Sequence, residues 1–424
     1  MKKYKARIVD EILKFKLESK GAVLIEGAKW CGKTTTAKQV AKSTVSMQNR
    51  SKSYNYLALA DINPSELLIG KTPRLIDEWQ IAPQLWDAIR YEVDQRDEFG
   101  QFILTGSAVP ADLSQIFHTG TGRITRMLMR PMSLYESMES TGEVSLKDLF
   151  EGAKDISGHS KLDLDGLAFL ICRGGWPKAL DCSLRVSLVQ ARDYYDGVVN
   201  SDISRVDNVE RNPERTKRIM RSYARAIATQ TKLSSIVQDI QENEATLITV
   251  ETISSYIKAL KQIFVIEDTP SWNPNLRSKV AIRVSDTRYF TDPSIGAASL
   301  GVGPKDLTND LKTMGFLFEN FCVRDLRVYA ESLDGKVYHY RDGNNLECDA
   351  VIHLRNGSYG LVEIKLGGQK LIEEGIATLN KLEANIDTQK MKSPSFKMLL
   401  VGVGEYAYKT KEGVFVVPIG CLKN

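Results

Sequence analysis

The chain has 424 residues, 42% hydrophobic and 26% charged, which is the balance of a soluble globular protein long enough for roughly two to four domains. With 57 Lys and Arg against 53 Asp and Glu, the formal net charge is +4, which excludes a histone-like, polyanion-coating chain but permits a local basic surface. No apolar run approaches the ~20 residues that cross a bilayer. The opening Met1-Lys2-Lys3-Tyr4-Lys5 is too charged for a secretory signal. The six cysteines (Cys31, Cys172, Cys182, Cys322, Cys348 and Cys421) contain no C-x-x-C pair, and there are only four histidines. A Cys/His zinc site is therefore not expected, and reduced thiols in a cytoplasmic setting, without a membrane partner, are the expectation.

Ile8, Ile12 and Phe15, widened by Val9 and Leu13, predict an amphipathic helix within residues 1–20 with these side chains as its buried stripe. Gly21-Ala-Val-Leu-Ile-Glu-Gly reads as a buried parallel strand, followed by a glycine turn and a helix from Lys33 to Ser43. Ser53–Leu59, Arg74–Asp77 and Gln101–Thr105 read as further strands. Strands alternating with helices predict an α/β domain with a mostly parallel sheet over residues 1–155.

Residues 156–210 read as a helical connector containing the turn Gly174-Gly175-Trp176-Pro177. Three helices, Thr216–Gln230, Leu233–Ile240 and Thr249–Ile263, precede strand-like stretches at Ile263–Glu267 and Lys279–Phe290. That order outlines a winged helix-turn-helix over residues 211–295. Residues 296–424 return to an α/β pattern, with buried strands near Met398–Val403 and Val414–Ile419.

Gly27-Ala28-Lys29-Trp30-Cys31-Gly32-Lys33-Thr34 fits G-x-x-x-x-G-K-[ST] at every fixed position, with a strand before it and a helix after it. Glycines let the backbone wrap a phosphate, and successive N–H groups with the helix N-terminus supply positive partial charge. Lys33 would reach the β- and γ-phosphates of ATP, Thr34 would ligate Mg²⁺, and Thr35 completes the cradle. The strand Pro73-Arg-Leu-Ile-Asp77-Glu78 delivers two carboxylates at its C-terminal end, where α/β sheets place ligands. Asp77 would hold the metal and Glu78 would polarise the attacking water. Thr105 and Ser107, closing a later strand, are candidates for sensing the γ-phosphate.

These segments, with Leu75-Ile-Asp-Glu-Trp-Gln, Leu104-Thr-Gly-Ser-Ala, Gly122-Arg123-Ile, Arg130-Pro-Met-Ser-Leu and Gly174-Gly-Trp-Pro, resemble the AAA-superfamily P-loop ATPases of the AAA_14/DUF4143 family. Glu347-Cys-Asp-Ala-Val-Ile and Val362-Glu-Ile-Lys-Leu-Gly match the end of that family's pattern. The resemblance implies nucleotide binding and hydrolysis. It also makes Arg123 the candidate arginine that would complete a neighbour's site in a homo-oligomer, stabilising charge on the γ-phosphate.

From Arg211 to Phe290 there are thirteen Lys and Arg against eight Asp and Glu, an excess larger than that of the whole chain. A positive module on a neutral body suits contact with DNA phosphates, with Lys258 and Lys261 on the third helix and Arg277, Lys279 and Arg283 on the wing as candidates. A winged helix that grips protein instead is the alternative.

Asp349, Glu363 and Lys365 lie in two strand-like runs, and Glu319 in an upstream helix. Asp followed after a hairpin by Glu-x-Lys resembles the PD-(D/E)XK nuclease fold, and strand alternation puts Glu363 and Lys365 on one face. Asp349 and Glu363 would then share Mg²⁺, Lys365 would position water, and Glu319 would bind a second metal or complete the shell. The sequence thus predicts a Mg²⁺-dependent ATPase acting on or near DNA. The alternative is an ATP-dependent binding switch with slow turnover and a non-cleaving nuclease-like domain.

Overall fold

The structure, a computed structural model, describes residues 4–49, 53–108, 118–207, 209–244, 247–273, 285–387 and 391–424. The chain divides into two compact units: Met1–Pro131 with Val198–Asn212 and Lys258–Val265, and Met132–Gly197 with Pro213–Ile257 and Ile266–Asn424.

The first unit runs α1 (Val9–Ser19), β1 (Ala22–Glu26), α2 (Lys33–Val40), β2 (Ser43–Ser46), α3 (Ser53–Ile62), β3 (Arg74–Asp77), α4 (Leu85–Arg96), β4 (Phe102–Gly106) and β5 (Ile124–Leu128). Its five strands are all parallel, in the order β2-β3-β4-β1-β5. Both sheet faces are covered, so alternate residues of one strand enter different cores. Ala22, Leu24, Ile76, Phe102 and Leu104 pack with Trp86 and Ile89 of α4. Val23, Ile25, Leu75 and Ile103 pack with Leu13 of α1 and Ala37 of α2. This double burial explains the unbroken apolar runs of β1 and β4.

Two of the expected elements differ from those observed. The buried stripe of α1 is Val9, Leu13 and Leu17, at strict four-residue spacing, and Phe15 is 70% exposed. Residues 53–59 are not a strand but the start of α3, which runs to Ile62. Its Tyr54 and Tyr56 mimic period-two alternation, but Leu57-Ala-Leu-Ala60 are strong helix formers and the turn ends before Pro64. The expected helix end at Lys42–Ser43 instead begins β2, because Lys42 N–H already donates to Pro73 O of the neighbouring strand.

The second unit runs β6 (Val144–Ser145), α5 (Leu146–Phe150), β7 (Gly158–His159), α6 (Leu164–Arg173), α7 (Leu184–Gly197), α8 (Pro213–Arg225) and α9 (Leu233–Glu244). Then come α10 (Val250–Gln262), which crosses the division between units, α11 (Pro293–Leu300), α12 (Pro304–Asn309) and α13 (Leu311–Ser332). The chain closes with β8 (Gly335–Arg341), β9 (Glu347–Leu354), β10 (Tyr359–Lys365), α14 (Gln369–Ala384), β11 (Phe396–Val401), β12 (Tyr406–Lys409), β13 (Val414–Pro418) and β14 (Leu422–Lys423). A seven-stranded mixed sheet has the order β7-β12-β13-β11-β10-β9-β8, with β10, β11 and β13 parallel. Leu379 and Leu382 of α14 pack on Val351, Leu361, Leu399 and Val416 of this sheet.

The helices α8, α9 and α10 follow the expected order, but among the described residues the stretches expected to form a β-ribbon meet only at isolated bridges, Ile266 with Phe290 and Thr269 with Thr287. Arg277, Lys279 and Arg283 lie outside the described residues.

The Gly174-Gly175-Trp176 turn is fixed by a buried charge network. Gly175 N–H donates to Asp292 (3.0 Å), the Trp176 indole N–H donates to Ser294 (3.0 Å), and Met132 N–H donates to Gly175 O (2.7 Å). A Cβ at Gly175 would stand 2.2 Å from Met132 O, so only glycine fits. The Arg324 guanidinium bridges Asp292 (2.9 Å) and Asp325 (2.7 Å), and Asp325 also accepts from Leu134 N–H (2.9 Å). Burial pushes the Asp325 carboxyl up, with the Arg324 charge opposing. Arg324→Met would leave two buried carboxyls without a counter-charge, and is expected to cost about 3–5 kcal/mol in urea unfolding.

Candidate functional site

The loop between β1 and α2 has the backbone the sequence demands. Gly27 (φ 144°), Trp30 (φ 66°) and Gly32 (φ 109°) take positive φ values, and a Cβ at Gly27 would stand 2.1 Å from Met129 O. Gly32 caps α2, so the N–H groups of Lys33, Thr34 and Thr35 open a helix without intrahelical acceptors. The buried Lys33 ammonium donates to Gly27 O and Ala28 O, both at 2.8 Å. Thr35 is exposed.

At the end of β3, Asp77 gathers three hydroxyls. Thr34 donates to its Oδ1 at 2.6 Å, Thr105 of β4 to the same oxygen at 2.8 Å, and Ser46 of β2 to Oδ2 at 3.2 Å. The loop threonine and the first carboxylate are thus brought together as expected from sequence. A hydroxyl and a carboxylate this close form a hard-oxygen pair of the kind Mg²⁺ takes, so the residues present fit that ion. Glu78 sits in the left-handed region (φ 58°), where its carboxylate accepts from Gln80 Nε2 and, at 3.3 Å, from Ser107 Oγ. Thr105 and Ser107 therefore contact the two acids.

Sequence reasoning missed the supports of this loop. The Arg7 guanidinium, buried, donates to Cys31 O (2.9 Å) and Arg130 O (2.8 Å). The Tyr4 hydroxyl reaches Asp10 (2.6 Å) and Thr36 (2.9 Å). Lys29 pairs with Asp202. No local pattern marks these residues; only Gln80, two positions after the Asp-Glu pair, carried a signal. Arg123 is 45% exposed on its side chain and paired with Asp94 at 2.8 Å.

In the basic segment, several cations already have acidic partners: Arg211 with Asp207, Lys217 with Glu214, Arg225 with Asp239 and Arg288 with Asp268. Lys258 and Lys261 are exposed on α10.

In the second unit the C-terminal constellation converges. Lys365 Nζ stands 2.6 Å from Glu363 and 3.4 Å from Asp349, whose carboxylate also accepts from Ile364 N–H at 2.8 Å. Burial, followed by the charge of Asp349, pushes the Glu363 carboxyl up to about 8. Burial opposes the charge on Lys365, but Asp349 and Glu363 outweigh it and raise the ammonium. Burial and the Asp349 charge also raise Glu319 well above the usual carboxylate range, and the Tyr289 hydroxyl donates to it at 2.5 Å. Glu319 and Asp349 share the lining of a cavity of about 260 Å³ with Gln230, Tyr289 and His339. Among the described residues no group of three or more His, Cys, Asp or Glu is arranged to hold a metal ion. The amine of Lys365 contacts both Asp349 and Glu363, the two acids expected to share a metal.

Glu363 binds its proton more tightly in the folded chain than in the unfolded one. Its contribution to stability is full below its ordinary value of 4.5 and is withdrawn as pH rises through about 8. Urea midpoints are expected to fall between pH 5 and pH 8, and Glu363→Gln, neutral throughout, to flatten that fall.

Residues 19–138 match the model of an AAA domain, AAA_14, and residues 314–422 that of a domain of unknown function, DUF4143. Residues 164–306 match a further domain of unknown function, DUF8612. No curated protein matches the chain. Solved structures similar to it include a Walker-type ATPase of Pyrococcus abyssi, 14% identical, covering 68% of this chain and 94% of that one at a TM-score of 0.42. No helix among the described residues is long and apolar enough to cross a membrane. The AAA match spans both Gly27–Thr34 and Asp77-Glu78, and it supports ATP binding and hydrolysis by a P-loop domain of the AAA type.

Proposed function

We propose that the chain is a Mg²⁺-dependent ATPase that acts on or near DNA. The observation that carries the reading is the hydrogen-bonded set Thr34–Asp77–Thr105 beside a glycine loop that opens a helix. Backbone N–H groups of the loop bind the phosphates, and Lys33 exchanges its two carbonyl acceptors for phosphate oxygens. Thr34 and Asp77 would hold Mg²⁺, which when bound would supply charge neutralisation. Glu78 orients the attacking water and takes its proton, and Gln80 and Ser107 set its rotamer. Arg123 is proposed to act on a neighbouring copy's γ-phosphate after leaving Asp94.

For the DNA-directed part, the exposed Lys258 and Lys261 support contact with phosphates. The nuclease-like reading of residues 296–424 is supported by the convergence of Asp349, Glu363 and Lys365. One observation favours the second reading, a non-cleaving domain: the Lys365 ammonium pairs with both carboxylates that would hold a metal.

Lys33→Ala is expected to abolish ATP binding in equilibrium titration. Glu78→Gln is expected to retain ATP while steady-state phosphate release falls about 100-fold or more; an unchanged rate removes Glu78 from this role. On duplex DNA with Mg²⁺ or Mn²⁺, any cleavage is expected to vanish in Glu363→Ala with ATP turnover intact. A wild type that never cuts leaves the non-cleaving reading standing.

A further inference from the structure

The phosphate loop carries two lysines, and they are held differently. Lys33 is buried against loop carbonyls. Lys29 leans out of the loop to a carboxylate, Asp202 Oδ1, at 2.5 Å. The two sides of this pair are unequally exposed. The Lys29 side chain is 41% exposed on a long flexible stem, whereas that of Asp202 is 15% exposed. Asp202 ends a π-helical turn, Val198–Asp202, a geometry that recurs at functional positions. Its flanks are anchored: Val198, Val199, Ile203 and Val206 are buried, and the Arg211 guanidinium ties Ile203 O (2.9 Å) to Asp207 (2.6 and 2.8 Å). The chain thus enters the first unit after α7, sets one fixed carboxylate against the loop that reads phosphate, and leaves again at Asn212.

A carboxylate at a polyphosphate loop is unfavourable unless its charge is neutralised. One ammonium neutralises it, and the same ammonium is the loop's most mobile cation. Phosphate and Asp202 therefore compete for Lys29. We propose that Asp202 is a positioning residue of the nucleotide site: it withholds Lys29 from the phosphates, so that nucleotide binding draws Lys29 off and loosens residues 198–212. By linkage the effect runs both ways, because whatever holds the 198–212 segment in place weakens nucleotide binding by the same factor. The assignment rests on the nucleotide reading of the loop. It adds to that reading a specific competitor and a readout outside the glycine motif.

The test uses the full-length chain and a fluorescent ATP analogue with Mg²⁺, titrated into wild type, Asp202→Asn, Asp202→Glu, Lys29→Gln and the Asp202→Asn/Lys29→Gln double variant. Asp202→Asn frees Lys29 and is expected to tighten binding about fivefold or more, with the gain shrinking as salt is raised. Asp202→Glu keeps the charge and stays near wild type. In the Lys29→Gln background, Asp202→Asn gives a smaller gain, because only the direct repulsion between carboxylate and phosphate is left to relieve and the contested ammonium is gone. Hydrogen exchange supplies a second readout: the analogue speeds exchange across residues 198–207 in wild type, and Asp202→Asn exchanges fast there without nucleotide. If wild type binds and Asp202→Asn matches it, or gains equally with Lys29 removed, Asp202 is merely structural and the inference falls alone. If wild type binds no nucleotide at millimolar concentration, the ATP reading falls and takes this inference with it.

Discussion

The side chain of Asp77 is the point on which the first unit depends. It is 9% exposed and receives hydroxyls from α2, β2 and β4 at once. A carboxylate buried to this degree persists only with such donors. Those donors arrive only if β3 lies between β2 and β4 with Asp77 opposite Ser46 and Thr105, the observed register. A slip of one residue along β3 would turn Asp77 into the core and Ile76 toward the loop. The two apolar cores prevent that slip, since Leu75 and Ile76 belong to opposite faces of the sheet. Packing that stabilises the sheet therefore also sets the distance between loop and acid.

The second unit solves a related problem with different chemistry. Glu363, Asp349 and Glu319 bring three carboxyls into one space, where burial raises Glu363 and Glu319, and the Lys365 ammonium and the Tyr289 hydroxyl meet them. In the first unit the acid is met by neutral hydroxyls. In the second it is met by a built-in cation, the Lys365 ammonium. The same unit commits a further arginine, Arg324, to two fully buried carboxylates, of which Asp292 holds the glycine turn before Trp176 and Asp325 holds Leu134 N–H. Its charged residues are thus as much a part of its scaffold as its leucines.

What the sequence made legible was local. The Gly27–Thr34 spacing, the Asp77-Glu78 pair and the same-face relation of Glu363 and Lys365 depend on neighbours a few residues apart, and the structure places them accordingly. The helices α8 to α10 were readable in their order, with α8 ending at Arg225 rather than Gln230 and α9 running on to Glu244. Errors arose where two periods compete. Tyr54 and Tyr56 suggested a strand in what is α3, and Phe15 fitted a stripe that the core fills with Leu17 instead. Charge counting gave a net excess but not its placement: Arg225 and Arg288 sit against Asp239 and Asp268, acids already in that count, and Arg211 against Asp207. Arg7 and Asp202 were invisible because their partners lie 24 and 173 residues away in the chain.

Arg7 shows what such distance means. Its guanidinium spans Cys31 O in the loop and Arg130 O past the end of β5. The shape of the glycine loop is therefore propped from a residue preceding the first helix, by a side chain that itself meets no phosphate. A survey that ranked substitutions by their nearness to the glycine signature would score position 7 as harmless. Loss of this prop would nevertheless present as a defect of the loop itself, and the cause of a failed nucleotide grip would lie in a stretch of chain that resembles a plain leading tail.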